Sequence, residues 1–332
     1  MATPIKVGLV GAGRIGRNHA EILARHTPGA ELVAVADPNR PAAEELAASL
    51  EVSIVCESME ELLAQDIQAV TIAAPSFLHG ELIQQAAAAG KAIFCEKPAS
   101  MNLNQLDAAL AAVEQAGVVF QVGFNRRFAP GFAAARAAID DGRLGTVQLL
   151  RSNTRDPELA DPAGPPPYTI FTQTLIHDFD TLNWLNPGAE PVRVYAQADA
   201  LIAPDFKDKG LLDTALVTVA YSNGALAMAD ASFQAVYGYD VRGEVFGSGG
   251  MATAGHARVS DMTLYGSSGA EVSTSRSDTE LLQDSYRAEF AAFVEAVRTG
   301  VVTGATGTDA RRALAIAMAA IDSYDTGLPV EL

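Results

Sequence analysis

The stretch Ile5-Lys6-Val7-Gly8-Leu9-Val10-Gly11-Ala12-Gly13-Arg14-Ile15-Gly16 decides the fold. A short β-rich run passes directly into glycines spaced G-x-G-x-x-G, and a helical pattern then covers about residues 14–25. Glycines cluster by chance, so the spacing alone says little. Here it follows a strand and opens a helix, the context in which each glycine has a physical task. Gly11 permits a tight turn, Gly13 lets a pyrophosphate approach the backbone, and Gly16 allows close packing of helix on strand. The helix start offers N–H groups and a positive dipole end to phosphate. The second strand, residues 31–36, ends at Asp37, placed to accept hydrogen bonds from a ribose diol. Its charge would repel a 2′-phosphate, so the expected coenzyme is NAD, with NADP disfavoured; Arg40 stands close enough in sequence to soften that preference.

Outward from this unit, apolar strands at 69–73, 92–95 and 118–122 alternate with Ala- and Leu-rich helices at about 40–50, 58–64, 77–89 and 102–116. Apolar strands without polar alternation, separated by helices, predict a doubly wound parallel α/β sheet. The second half differs. After a helix near 131–140, strands at 147–154, 192–201, 214–221, 225–233 and 241–246 follow, two of them joined by Asn223-Gly224, a strong hairpin signal. This predicts a C-terminal α+β domain with a large, mainly antiparallel open sheet, closed by helices at about 280–299 and 308–323. The boundary is expected near Phe124, giving a dinucleotide-binding domain of residues 1–124 and a substrate and oligomerisation domain of 125–332. Residues 161–167, rich in proline, form a loop, and Gly247-Ser248-Gly249-Gly250 reads as a turn.

Twenty-three basic against 40 acidic residues give a net charge of −17 over 332 residues, which argues against a nucleic-acid backbone or an anionic membrane surface as partner. No apolar run reaches the roughly 18 residues of a membrane span, and no basic, cleavable leader precedes Ile5. Two cysteines, Cys56 and Cys95, make neither a disulfide framework nor a zinc site. The expectation is a soluble, cytoplasmic protein.

Lys97 is one of five lysines and stands in Glu96-Lys97-Pro98, directly after a predicted strand of the parallel sheet. Ligands on open parallel sheets bind beyond the carboxyl ends of the strands, so Lys97 is a candidate to hydrogen-bond a substrate hydroxyl and steer its proton. The second candidate is His177, in Gln173-Thr174-Leu175-Ile176-His177-Asp178-Phe179-Asp180, where helical spacing puts Gln173, His177 and Asp180 on one face. A neutral imidazole can take the proton an alcohol loses as hydride leaves its carbon. A lone helix histidine is also an ordinary packed residue, and spacing does not choose between the two. With no further His or Cys beside Asp178 and Asp180, no metal is expected.

The glycine loop, Asp37, Ala74-Pro75-Ser76-Phe77-Leu78-His79, Glu96-Lys97-Pro98, Gly123-Phe124-Asn125-Arg126-Arg127-Phe128 and Ile176-His177-Asp178-Phe179-Asp180 occur in that order. Together they resemble the Gfo/Idh/MocA oxidoreductase family, most of all its inositol 2-dehydrogenases, from Lys6 to the C-terminal Leu328-Pro329-Val330. The resemblance implies an NAD-dependent oxidoreductase moving hydride between NAD and the hydroxyl of a cyclic polyol or sugar. It implies catalysis by Lys97 and His177 and cofactor contacts from Gly11, Gly13, Arg14, Ile15, Gly16, Asp37, Pro75, His79, Glu96 and Lys97. It also implies substrate contacts from Arg127, Asn153, Gln173 and Tyr239, and a homotetramer or homodimer. Two departures stand out. Family dehydrogenases carry an aspartate four residues before the histidine, where this chain has Gln173, and the diglycine-containing segment before it is missing. A glutamine can orient a hydroxyl but supplies no charge for an imidazolium. A keto-sugar reductase and a non-catalytic nucleotide sensor on the same scaffold therefore stay open as alternatives.

Overall fold

The computed structural model describes residues 3–159 and 161–332. In chain order the first elements are β1 (Ile5–Val10), α1 (Arg14–Glu21), β2 (Ala30–Ala36), α2 (Arg40–Ser49), β3 (Ile54–Cys56), α3 (Met59–Leu63), β4 (Ala69–Ile72), α4 (His79–Ala88), β5 (Ala92–Glu96), α5 (Leu103–Ala116) and β6 (Phe120–Gly123). Their six strands form one sheet in the order β3-β2-β1-β4-β5-β6, every neighbouring pair parallel. The order reverses between β1 and β4, the switch point beside which such sheets take their ligands. Every residue of β4 and β5 is buried, which is why these strands read as continuous apolar runs.

The remaining elements are α6 (Pro130–Asp140), β7 (Val147–Arg155), α7 (Leu175–Trp184), β8 (Pro191–Asp199), β9 (Thr214–Tyr221), β10 (Leu226–Ser232), β11 (Asp240–Gly247), β12 (Gly250–His256), β13 (Arg258–Gly266), β14 (Gly269–Thr274), α8 (Asp278–Leu281), α9 (Gln283–Thr299), α10 (Gly307–Thr326) and β15 (Val330–Glu331). Seven strands make the sheet β12-β11-β7-β10-β9-β8-β15, antiparallel throughout except between β10 and β7. Gly224 adopts φ +85°, as the Asn-Gly turn between β9 and β10 requires. One face is buried through Ala215, Val217, Val219 and Tyr221 of β9, while Leu216 points the other way and is exposed. β13 and β14 pair only with each other and bury almost nothing.

Compactness divides the chain differently from the expected break near Phe124. One unit comprises Met1–Phe128 and Asp284–Arg311, the other Ala129–Gln283 and Arg312–Leu332. The return of α9 to the first unit has a physical cause: Phe290 and Phe293 stack on Phe94 of β5, with ring centroids 4.5 and 5.6 Å apart. The Val122 amide also donates to the Ala305 carbonyl at 2.9 Å. Among the described residues no helix is long and apolar enough to cross a membrane.

Candidate active site

The glycine loop shows what each of its glycines is for. Gly11 has φ +103°, and a Cβ there would lie 2.5 Å from the Ala73 carbonyl oxygen. A Cβ on Gly16 would lie 1.8 Å from the Gly11 carbonyl oxygen. Both glycines are thus demanded by the protein's own backbone. Gly13 is not: it is exposed, has an ordinary φ of −73°, and a Cβ there would meet nothing within 4 Å. Gly13 is also the N-cap of α1, and no side chain caps that helix. A bare glycine at an uncapped helix start leaves the room and the donors that a pyrophosphate needs. Arg14 and Ile15 form the first turn, exposed and half-buried respectively.

Asp37 follows β2 and is half-buried. Its Oδ2 accepts the Ala12 N–H at 2.7 Å and its Oδ1 the Asn39 N–H at 2.8 Å, so the carboxylate is fixed against the glycine loop. Lone pairs remain for a ribose diol. Arg40 lies three residues on, at the start of α2. Its guanidinium is paired with Glu44 at 2.8 Å and Glu57 at 2.7 Å, which hold its pKa above the ordinary arginine value.

Lys97 lies one residue past β5, half-buried, with Pro75 exposed past β4. Two neighbours expected to touch the cofactor have other partners. His79 is 1% exposed, and its ring nitrogens lie 2.7 Å from the Pro98 carbonyl and 2.8 Å from the Ala74 carbonyl. Burial pushes its pKa down, and the ring acts as a tie between the two strand-end loops. The Glu96 carboxylate turns inward, 2.6 Å from Nε2 of His19, and accepts the Lys97 N–H at 3.1 Å. Both side chains thus brace the loop that carries Lys97. Arg127 pairs with Asp309 at 3.2 Å, its side chain 8% exposed, so its guanidinium is committed within the first unit.

In the second unit, residues 170–174 form a π-helical turn that leads into α7, a local form common at functional sites. From Ile170 to Leu185 only Gln173, His177 and Trp184 are more than slightly exposed. Gln173 and His177 therefore share one open strip, while Asp180 is 1% exposed and adds to the rise that burial gives the pKa of Tyr221. Asp178 is fully buried, and its two carboxylate oxygens accept the hydroxyls of Ser152 at 2.5 Å and Thr154 at 2.6 Å. This anchor fixes α7 on β7 and so places His177; the sequence reading took Asp178 only as a motif letter.

The same strand parity corrects Asn153. Ser152 and Thr154 face α7, so Asn153 faces the other side of the sheet, opposite Asp230 and Arg242. There it lines a cavity of about 830 Å³ with Arg151, Arg242, His256 and Arg258, away from His177. Tyr239 precedes β11 with the parity of Val241 and Val245, whose side chains are buried. Its N–H donates to the Ser275 carbonyl at 2.7 Å. Cys95 is fully buried, and burial pushes its thiol well up, so it is inert. Among the described residues no group of three His, Cys, Asp or Glu side chains could hold a metal.

A parallel sheet with an open glycine cradle at its switch point, followed by an open-sheet domain, defines a dinucleotide-binding oxidoreductase of two parts. Residues 5–124 match the model of the oxidoreductase family with an NAD-binding Rossmann fold, and residues 132–253 match the Gfo/Idh/MocA C-terminal domain. The chain belongs to the Gfo/Idh/MocA family. It is 35% identical to the scyllo-inositol 2-dehydrogenase (NAD(+)) of Bacillus subtilis, covering all of this chain and 97% of that one. It is 38% identical to the inositol 2-dehydrogenase of Rhizobium meliloti over 96% of each. The solved scyllo-inositol dehydrogenase of Lactobacillus casei with bound NAD(H) and scyllo-inositol superposes with a TM-score of 0.94 at 27% identity, over 99% of each chain.

Proposed function

We propose that this protein is an NAD-dependent dehydrogenase of a cyclic polyol of the inositol type. The observation that carries the reading is the open Gly13 cradle, fixed by Asp37, on a chain similar over its whole length to inositol dehydrogenases. NAD is favoured over NADP because the carboxylate of Asp37, held against the glycine loop, would repel a 2′-phosphate, and the nearby Arg40 is paired with two glutamates.

Gly11 to Gly16 hold the pyrophosphate and Asp37 the adenosine ribose. When bound, NAD supplies the hydride acceptor. Lys97 hydrogen-bonds the reacting hydroxyl through its ammonium and lowers the cost of alkoxide character. His177 takes the hydroxyl proton while the carbon loses hydride, and Gln173 and Tyr239 orient the ring. Lys97→Ala is expected to lose at least two decades of turnover, because about 3 kcal/mol of transition-state interaction is removed, while NADH affinity falls far less, because the glycine loop and Asp37 supply most of the nucleotide contacts. Near-normal turnover in that variant contradicts the assignment.

Self-association through the outward face of the seven-stranded sheet belongs to the same reading. Leu216, Leu226, Phe246 and Met251 are exposed there, on β9, β10, β11 and β12. A homotetramer or homodimer covers this face.

A further inference from the structure

Lys97 sits beside an anion that is held in place by a buried histidine. His19 lies on α1, and its ring is fully buried in a box of aromatic rings, with centroids 5.8 Å from Phe94, 5.5 Å from Tyr286 and 4.8 Å from Phe290. Within this box Nε2 of His19 lies 2.6 Å from Oε1 of Glu96. Burial pushes the Glu96 carboxyl up. The hydrogen bond from His19, together with the charges of His19, Lys97 and His79, more than offsets burial, and its pKa lies below the ordinary value. The hydrogen bond with Nε2 of His19 favours the carboxylate form of Glu96. Its other oxygen accepts the backbone N–H of Lys97.

Such an arrangement is a costly way to fill a core. A buried carboxylate loses several kcal/mol of hydration, and an apolar pair of similar volume packs as well or better. What the pair provides that a leucine and a methionine would not is a fixed negative charge next to Lys97 in the chain. His19 also belongs to the helix that opens at Gly13, so one rigid element carries both the phosphate cradle and the group that secures the neighbour of Lys97.

We propose that His19 is a positioning residue for Lys97: acting through Glu96, it keeps an anion beside the lysine, so that the ammonium stays charged and held at the end of β5. This rests on the reading of Lys97 given above. Titratable groups on the elements packed around the arrangement include His19 of α1, His79 of α4, Cys95, Glu96 and Lys97 at the end of β5, and Tyr286 and the fully buried Glu289 of α9.

The test reads Lys97 directly, without substrate. The chain has only five lysines, so reductive methylation with ¹³C-formaldehyde gives a small set of dimethyl-lysine resonances, and loss of one in Lys97→Arg assigns Lys97. Its titration is followed by NMR in the wild type, Glu96→Gln, His19→Leu and the double variant. Removing the anion disfavours the charged amine, so Lys97 is expected to titrate about one pH unit lower in Glu96→Gln. His19→Leu is expected to lower it similarly, because a buried carboxylate without its partner takes up a proton. The double variant is expected to match Glu96→Gln. His19→Gln, which keeps a donor near the Nε2 position, is expected to restore the wild-type titration. Should His19→Leu fail to fold, His19→Asn, too short to reach, carries the same expectation. An unchanged Lys97 titration in the His19 variants, or an effect of His19 that persists when Glu96 is glutamine, overturns the proposal. Turnover of Lys97→Ala, measured separately, tests the underlying reading, so the two can fail independently.

Discussion

Replacing Gly13 by serine should move the stability of the free protein and its nucleotide affinity in opposite directions. Gly13 is the N-cap of α1 with φ −73° and ψ −170°, an extended conformation that suits serine, and no side chain caps the helix at present. Serine at such a position gains a few tenths of a kcal/mol over glycine. For a chain of this length that corresponds to a rise in melting temperature of less than about 1 °C. The new Cβ meets no protein atom within 4 Å, so no packing penalty cancels the gain. The same atoms fill the space through which a pyrophosphate reaches the backbone N–H groups. Losing one charge-assisted hydrogen bond costs about 1.5–3 kcal/mol, a fall in affinity of about 10- to 150-fold. The assays are thermal melting of the free protein and titration with NADH followed by nicotinamide fluorescence. Gly16→Ser is the contrast: its Cβ would fall 1.8 Å from the Gly11 carbonyl oxygen, and that variant should lose the fold itself. Wild-type NADH affinity in a folded Gly13→Ser variant would refute the view that this open space is the coenzyme channel.

Three further outcomes follow from contacts already described. Asp178→Ala strands the hydroxyls of Ser152 and Thr154 in the core, and should cost about 3–5 kcal/mol by chemical denaturation, with turnover falling further as α7 loosens beneath His177. Asp309 is half-buried, which raises its pKa, but Arg127 and Thr306 outweigh that and hold it below the ordinary value. A depressed folded-state value means stability that is present above the unfolded pKa and lost as pH falls through the folded one, so Asp309→Asn should flatten the acid limb of the stability profile below about pH 4. Phe246→Asp on the outward sheet face should convert the assembly to smaller species in light scattering, with each folded chain unchanged in circular dichroism.

The first unit was legible because its strands are buried on both faces, and each appears as an apolar run bounded by turn residues. β3 is the exception, with only three residues to carry a pattern. The strands β13 and β14 escaped notice for the opposite reason. They bury no face, so no period of two is written into residues 258–274. The return of α9 to the first unit depends on rings from residues about 200 positions apart in sequence, Phe94 with Phe290 and Phe293, a pairing that no local signal announces.

The candidate site was readable where chemistry needs a particular residue type at a particular strand end, as with Asp37 and the three glycines. It was misread where only parity or burial decides. Asn153 is one residue from two partners of Asp178, and a shift of one position along a strand sends a side chain to the opposite face. Glu96 and His79 lie in motifs associated with nucleotide binding, yet their side chains are spent on His19 and on two backbone carbonyls. The role of Asp178 was hidden because its partners, Ser152 and Thr154, lie 26 and 24 residues away on another element.

The most direct measurement is NADH absorbance at 340 nm after the purified protein is mixed with NAD and, separately, each inositol stereoisomer, with pyranoses and NADP as comparisons. The account predicts NADH formation with at least one inositol, a weaker response with NADP, and no response in Lys97→Ala. Silence with every inositol, in a protein shown to bind NADH, would contradict it.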